Sequence, residues 1–398
     1  MRIQLLTHSF GPEISPPQRR WKAFVQTFLA MDVDVDVVAP NRRGRVIWQP
    51  YGALYQSEPS GRFRLHTFPF RISAIRWHTK VLAQFAMVLV MIPKSMFAPR
   101  PDLLIATVPA LPTLIAGYLI SKVRRVPLVV EMRDAWPELL EDSGIVRWKF
   151  AERLCVQAIR SIQASASLVI TVTPGHAQRL INEGLREVRV VSNGYRFASL
   201  PHTRIRHSQA SSKLRVLYLG NLGESQGLQE VLDIAAVSQD WMELRIVGQG
   251  SASTRLESRA ADLGLVDVFV PPVRGEDVLE WYDWADTCVV SLRSDWDSFA
   301  YTVPSKLFEL AGYGCHITGL VKGEASEIID KYDLGISVDG DVLAVSRKLR
   351  ESSTDIKEWK YDPQSMETFR SVYDLESLAV GYHELLTGHL AKIREGRA

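Results

Sequence analysis

Residues able to do chemistry are most concentrated in Val303-Pro304-Ser305-Lys306-Leu307-Phe308-Glu309-Leu310-Ala311-Gly312-Tyr313-Gly314. An apolar run, Thr287 to Leu292, and an acidic loop, Asp295-Trp296-Asp297, precede this stretch. Pro304 stands where a helix can begin, Ser305 can cap it, and Gly312 and Gly314 can end it. A helix start offers unpaired backbone N–H groups and the positive end of the helix dipole. Lys306 in the first turn adds a full positive charge, so the arrangement suits a diphosphate. Glu309, one turn on and on the same side, can accept hydrogen bonds from ribose hydroxyls. The same pattern also fits an ordinary strand–helix unit that binds nothing.

The elements that must position these residues alternate between strand and helix along almost the whole chain, the pattern of α/β domains with parallel sheets. Strands are expected at Arg2–Thr7, Asp34–Val38, Phe63–Phe68, Leu103–Ala106, Leu128–Met132, Leu168–Val172 and Glu187–Val191. Helices are expected near Arg19–Met31, Thr79–Met96, Pro109–Arg124, Val146–Ser165 and Pro174–Glu183. The alternation lapses in a polar, non-periodic stretch rich in Ser, His and Arg, read as a linker over 199–213. It resumes with strands at Leu214–Leu219, Met242–Val247, Val268–Val270, Thr287–Leu292, His316–Thr318 and Gly335–Ser337. Helices are expected there at Leu228–Ser238, Ala252–Asp262, Val278–Trp284, Ser305–Gly312 and Ala325–Lys331. The fold class is therefore α/β, with two doubly wound, Rossmann-like domains and an interdomain cleft. The domains span 1–198 and 214–375. A C-terminal helix, 376–398, is expected to pack back on the first domain. Ligands in such sheets bind at the carboxyl ends of strands.

Composition is that of an ordinary globular protein, 46% hydrophobic and 23% charged over 398 residues. Cys155, Cys288 and Cys315 lie far apart, without metal-site spacing or the density of a disulfide framework, which favours a reducing cytoplasm. The N-terminus reads as a first strand, not a signal peptide, and the longest apolar run, Val81 to Ile92, falls short of the roughly 18–20 residues that span a bilayer. The net charge of +2 conceals an asymmetry. Residues 1–200 hold 26 Lys+Arg against 14 Asp+Glu, and residues 201–398 hold 21 against 31. A basic first half suits anionic lipid or a phosphorylated acceptor, and opposite charges also suit two domains that face each other. The stretch from Arg71 to Arg100, basic at both ends and apolar on more than one side, fits either an interfacial helix or a buried one. No motif points to nucleic acid, and no strand leads into Gly-x-Gly-x-x-Gly.

Six motifs in order carry a resemblance: Phe10-Gly11-Pro12-Glu13-Ile14; Val126-Pro127-Leu128-Val129-Val130-Glu131-Met132-Arg133-Asp134-Ala135-Trp136-Pro137-Glu138; Val191-Ser192-Asn193-Gly194; Leu219-Gly220-Asn221-Leu222-Gly223; Ile246-Val247-Gly248-Gln249-Gly250; and Pro304 to Glu309. Together they resemble the retaining glycosyltransferases of family 4, which have the two-domain GT-B fold. The similarity is greatest to the branch that builds bacterial surface polysaccharides. It implies a first domain that binds the acceptor and a second that binds a nucleoside-diphosphate sugar. The donor implied is UDP-N-acetylhexosamine or a UDP-deoxyamino sugar. The acceptor implied is a glycan or an undecaprenyl-diphosphate-linked saccharide, met on the cytoplasmic face of the inner membrane by a peripheral protein.

The resemblance also implies roles. Gly220, Asn221, Gly223, Gln226 and Gly248 would line the donor, with Pro304, Ser305 and Lys306 on the diphosphate and Glu309 on the ribose. Family members commonly carry Arg and Lys where this chain has Asn221 and Gln226, so Lys306 and Arg293 are the candidates to compensate. Arg274 falls where the family cradles the base. The first of two family glutamates falls on Tyr301. Either Asp297 folds back to the donor sugar in its place or that role is lost. Asp134, Asp297 and Lys306 are the candidate catalytic residues. Arg19, Arg20, Trp136 and Glu138 are the candidate acceptor contacts, with simple turn-capping or surface charge as the alternatives. No cofactor is expected, and nine His that do not pair with carboxylates at ligand spacing predict metal-independent transfer. Two other readings fit less of the pattern: a non-catalytic GT-B partner protein, and a UDP-sugar 2-epimerase.

Overall fold

Apolar runs that a parallel sheet buries on both faces become the strands of two separate sheets. The computed structural model describes residues 1–10, 15–41, 61–69, 77–108, 111–144, 146, 148–200 and 212–396, with backbone alone at 41, 69 and 77–85. Most of the expected linker at 199–213, residues 11–14 of the first motif and residues 71–76 of the basic stretch lie outside the described residues.

The chain divides into two compact units, Met1–Asn193 with Leu375–Ala398, and Gly194–Asp374. The first begins with β1 (Arg2–Leu6), α1 (Pro16–Ala30), β2 (Asp34–Asn41), β3 (Phe63–Pro69), α2 (Trp77–Phe97), β4 (Leu103–Val108) and α3 (Leu111–Arg124). There follow β5 (Leu128–Met132), α4 (Glu138–Ser143), α5 (Lys149–Ser165), β6 (Leu168–Thr171), α6 (Pro174–Asn182) and β7 (Val188–Val190). All strand pairs are parallel, in the order β3-β2-β1-β4-β5-β6-β7. Leu5 lies between Val37 and Ile105, and Leu6 between Val38 and Ala106. Because side chains alternate across a strand, the first trio packs with α1 and the second with α2 and α3. Helix α1 starts at a capping box, in which Ser15 N donates to Gln18 Oε1 at 2.9 Å, with Pro16 at the first helical position. The single helix expected over Val146–Ser165 starts instead at Lys149, with α4 a separate short helix before it.

The second unit contains β8 (Leu214–Asn221), α7 (Leu228–Val237), β9 (Met242–Gln249), α8 (Ser253–Asp262), β10 (Phe269–Val270), α9 (Asp277–Trp284) and β11 (Thr287–Ser291). It continues through α10 (Ser305–Tyr313), β12 (Ile317–Leu320), α11 (Glu324–Lys331), β13 (Gly335–Ser337), α12 (Val342–Glu351), α13 (Ser353–Glu358) and α14 (Pro363–Tyr373). The parallel order is β10-β9-β8-β11-β12-β13. The chain reverses its direction of travel between β8 and β11, so their carboxyl ends form the switch point where ligands bind in such sheets. Helices α12 to α14 were not anticipated, although two of their caps were legible. Asp341 accepts from Ala344 N at 2.8 Å, and Asp362, followed by Pro363, accepts from Ser365 N at 2.7 Å.

The last helix, α15 (Leu375–Arg394), belongs to the first unit, where it packs along α1. Its fully buried Tyr382 lies edge-on to Trp21 and Phe24. Among the described residues no helix is long and apolar enough to cross a membrane.

Candidate nucleotide and acceptor sites

At the switch point of the second unit, β8 ends on Gly220 and Asn221. The loop beyond it is stitched to the end of β11: Ser291 Oγ donates to Gln226 O at 2.7 Å, and Arg293 N donates to Ser225 O at 3.0 Å. Gly227 has φ 61°, and a Cβ there would lie 3.2 Å from the Arg293 backbone, so glycine spares the loop a left-handed strain and a tight contact. Gln226 does not stand in for a phosphate-gripping lysine. Its Oε1 accepts from Gly223 N at 3.0 Å and shapes the loop itself. Gly248 is likewise structural. It sits in the ladder beside Gly220 with φ 150°, and a Cβ would lie 1.9 Å from the Gly220 carbonyl oxygen.

A solvent-open depression lies against this loop, lined in part by Gly223, Glu224, Gly227, Arg255, Arg293 and Asp295. The cations on its wall are matched by carboxylates. Arg293 grips Asp295 through two hydrogen bonds, of 2.8 and 2.5 Å, and holds that carboxyl below its usual range, while Arg255 pairs with Glu224. Arg293 also lies 5.0 Å over the Trp296 ring. Arg274 is exposed in the loop after β10.

Helix α10 follows a short 3₁₀ turn, Asp297–Tyr301, in which Asp297 is exposed and Tyr301 half-buried. Pro304, not Ser305, holds the cap position, and no side chain caps the helix. Ser305 is drawn into the first turn because the extended Pro304 already supplies the first acceptor, with Leu307 N donating to its carbonyl at 3.0 Å. Gly314 ends the helix in the left-handed region, whereas Gly312 lies inside it, where Phe197 leaves no room for a Cβ.

Lys306 and Glu309 share one side of α10, 3.2 Å apart from Nζ to Oε1. Tyr282 of α9 completes the group. Its hydroxyl donates to Glu309 Oε1 at 2.8 Å and accepts from Lys306 Nζ at 3.0 Å. Tyr282 and Glu309 are buried. Burial first, and the Glu309 charge second, push the phenol well above its ordinary value, so it stays protonated and donates. Tyr282 was missed in the sequence because it reads there as one more apolar-face residue of an amphipathic helix.

In the first unit, Asp134 follows β5 and is half-buried. Desolvation raises its carboxyl above the ordinary value against the pull of Arg133. Arg19 is half-buried in the first turns of α1. Arg20 is not an acceptor contact: it is buried and spends its donors on Glu131 and on the carbonyls of Val191 and Ser192. Glu138 is buried too, and its Oε1 accepts from Arg179 Nε at 2.8 Å, which ties α4 to α6. Both charges are already neutralised inside the fold. Trp136 is partly buried against the core between the sheet and α2, α3, α5 and α6. Among the described residues no group of three or more His, Cys, Asp or Glu is placed to hold a metal ion.

Residues 17–194 match the glycosyl transferase 4-like domain, and residues 213–355 match the glycosyl transferases group 1 domain. A protein of Escherichia coli K12 described as a colanic acid biosynthesis glycosyl transferase, WcaI, is 26% identical over 231 residues. That alignment covers 54% of this chain and 56% of the relative, so the match spans little more than half the length of the curated relative. Among solved structures, sucrose-phosphate synthase from Thermosynechococcus elongatus superposes with a TM-score of 0.71 at 15% identity, covering 98% of this chain and 99% of that one. Anabaena HepE in complex with UDP and glucose gives 0.66 at 14% identity, covering 98% and 100%. WaaG, a glycosyltransferase involved in lipopolysaccharide biosynthesis, gives 0.62 at 15% identity, covering 97% and 100%. Two parallel sheets in the observed orders, and two family domains that together span most of the sequence, place this chain in the family 4 glycosyltransferases of the GT-B fold.

Proposed function

We propose that this protein transfers a sugar, with retention at the anomeric carbon and without a metal ion, from a nucleoside-diphosphate sugar to a glycan or lipid-linked saccharide in bacterial surface-polysaccharide synthesis. UDP-N-acetylhexosamine and UDP-deoxyamino sugars are the donors proposed. The observation that carries the reading is the Lys306–Glu309 pair at the start of α10, the helix that follows β11 in the chain. The WcaI relative and the UDP complex of HepE support the pathway and the donor class.

In this reading Lys306 and the N–H groups of Ser305 and its neighbours take the charge that develops on the departing diphosphate. Gly220, Asn221, Gly223 and Arg293 lie along the same strand ends, with Arg274 near the base. Glu309 accepts from the ribose. Asp297 and Asp134 are the carboxylates offered to the donor sugar and the acceptor, and Arg19 and Trp136 the remaining acceptor contacts. One helix terminus supplies only about 0.3–2 kcal/mol against the roughly 8 kcal/mol or more that an enzyme needs, so fixed positioning must supply most of the rest.

A membrane surface is proposed as the place of action. Helices α2, α3 and α5 line one face of the first sheet; Phe97 (87% exposed) and Val123 stand at the ends of α2 and α3, and Trp148 (78%) and Phe150 (75%) at the start of α5. Exposed Lys94, Lys122, Lys149 and Arg153 lie on the same helices. Aromatic side chains beside cations suit an anionic bilayer interface.

The test is thermal stabilisation by uridine, guanosine, adenosine and cytidine diphosphates. A ligand at 100 times its dissociation constant stabilises by about 2.7 kcal/mol. A shift with one of them, lost in Glu309→Ala, supports the reading. No shift with any favours a non-catalytic partner, a reading to which the internally paired Arg293 and Arg255 also lend weight.

A further inference from the structure

Three groups from two helices meet within hydrogen-bond reach of one another. Tyr282 Oη lies 2.8 Å from Glu309 Oε1, Lys306 Nζ lies 3.0 Å from Tyr282 Oη, and Lys306 Nζ lies 3.2 Å from Glu309 Oε1. They differ in their freedom to move. Tyr282 is fully buried. Its ring packs 5.6 Å from the Tyr313 ring, and Tyr313 is itself tied to Asp283 by a hydrogen bond of 3.0 Å. The Glu309 side chain is 9% exposed, and that of Lys306 is 28% exposed. Lys306 is thus the member with a path to solvent. Its ammonium sits on a flexible four-carbon stem in the first turn of α10, where an anion would also be drawn by the helix dipole.

We propose that Tyr282 is a positioning residue, whose hydroxyl keeps the Glu309 carboxylate in place when Lys306 turns from it to an incoming diphosphate. The inference rests on the nucleoside-diphosphate-sugar reading of the site and adds a residue to it. An ammonium shared between a carboxylate and a phosphate cannot serve both at full strength. A nearly buried carboxylate that loses its cation is left costly and badly aimed unless a fixed donor stays with it. Tyr282 is that donor, because no ligand at the helix start competes for a phenol held on α9. The ribose grip thereby survives the capture of the diphosphate by the same turn of helix.

The experiment is calorimetric titration of the full chain with the four nucleoside diphosphates, their 2′,3′-dideoxy forms and inorganic pyrophosphate. The natural protein should prefer the ribo form of one nucleotide over its dideoxy form. Tyr282→Phe should lower that preference about 10-fold, the value of one hydrogen bond to a charged group, and leave pyrophosphate affinity within about twofold. Lys306→Met should do the reverse, losing pyrophosphate and keeping the ribose preference. In a Glu309→Gln background, Tyr282→Phe should add nothing, since the hydroxyl acts through the carboxylate. Packing alone would not produce this selectivity for sugar hydroxyls. An unchanged ribose preference in Tyr282→Phe, with the natural protein binding normally, overturns the inference alone. Failure of the natural protein to bind any nucleotide overturns it together with the donor reading. Should Tyr282→Phe fold poorly, the Lys306→Met titration decides: loss of the ribose preference along with pyrophosphate binding overturns the hand-over.

Discussion

Arg20 and Glu131 form an ion pair sealed inside the first unit, with Nη2 3.0 Å from Oε1 and side chains 2% and 0% exposed. Thr107 Oγ1 donates to the other carboxylate oxygen at 2.7 Å, and the carbonyls of Val191 and Ser192 each accept a further guanidinium hydrogen. Helix α1 is thereby bound to β5 and to the segment after β7. Arg20→Met strands a buried carboxylate and should cost about 3–5 kcal/mol. Chemical denaturation followed on the first unit's transition checks this. A neutral result would return Arg20 to the list of ligand contacts.

Gly248 makes a second stability prediction. Gly248→Ala must place a methyl where the Gly220 carbonyl oxygen lies 1.9 Å away, at a φ of 150° that L side chains rarely adopt. The β8–β9 ladder has to open, at about 3 kcal/mol or more. The melting temperature should fall sharply, and nucleotide binding should weaken with it. A near-natural melting temperature would show that the two strands have room to separate.

His176 predicts a pH dependence. Burial holds its imidazole down at about 4, against an ordinary value of 6.5, and Arg179 adds to the effect while Glu138 opposes it. The unfolded chain binds this proton between those two values and the folded chain does not. The contribution to stability is therefore complete above pH 6.5 and is lost as pH falls toward 4, by roughly 3 kcal/mol in all. His176→Gln should flatten the stability curve across that window, measured by urea denaturation at successive pH values. An unchanged slope would mean that other groups govern acid unfolding.

Lys306→Met should weaken nucleoside-diphosphate binding about 10- to 100-fold, the range for one or two charge-assisted hydrogen bonds. Isothermal titration measures it. Arg293→Met should have a smaller effect, because Asp295 already occupies that guanidinium. An equal loss in both variants would show that Arg293 leaves Asp295 to join the ligand.

The proposed membrane face predicts that Trp148→Ser with Phe150→Ser reduces partition onto vesicles of phosphatidylglycerol about 10-fold or more, from the apolar area withdrawn. Binding by the natural protein should weaken with added salt and be faint on phosphatidylcholine. Sedimentation with vesicles measures both. No binding to phosphatidylglycerol at low salt would remove the bilayer from the proposal.

Local order in this chain is written locally. The continuous apolar runs of β1, β4 and β5 and the glycine at the end of α10 act over a few residues, so their pattern determined two α/β units and the course of nearly every strand. The motif order pointed to the GT-B family on the same footing. The expected starts at Arg19 and Val146 each missed by three residues, and the cap of α10 fell on Pro304 and not on Ser305, because helix starts depend on which acceptor the preceding turn supplies. Side-chain partnership between distant parts of the chain was out of reach, although the i,i+3 neighbours Lys306 and Glu309 were legible as sharing one side of a helix. Arg20 meets Glu131 across 111 residues of sequence, Arg179 meets Glu138 across 41, and Tyr282 meets Glu309 across 27. An arginine destined for a buried carboxylate and one destined for a ligand look alike in a sequence. Only the packing of α1 on the sheet, and of α9 beside α10, decided which charges were consumed by the fold and which were left for chemistry, because the strength of a charge depends on the burial and the partners that tertiary structure alone supplies.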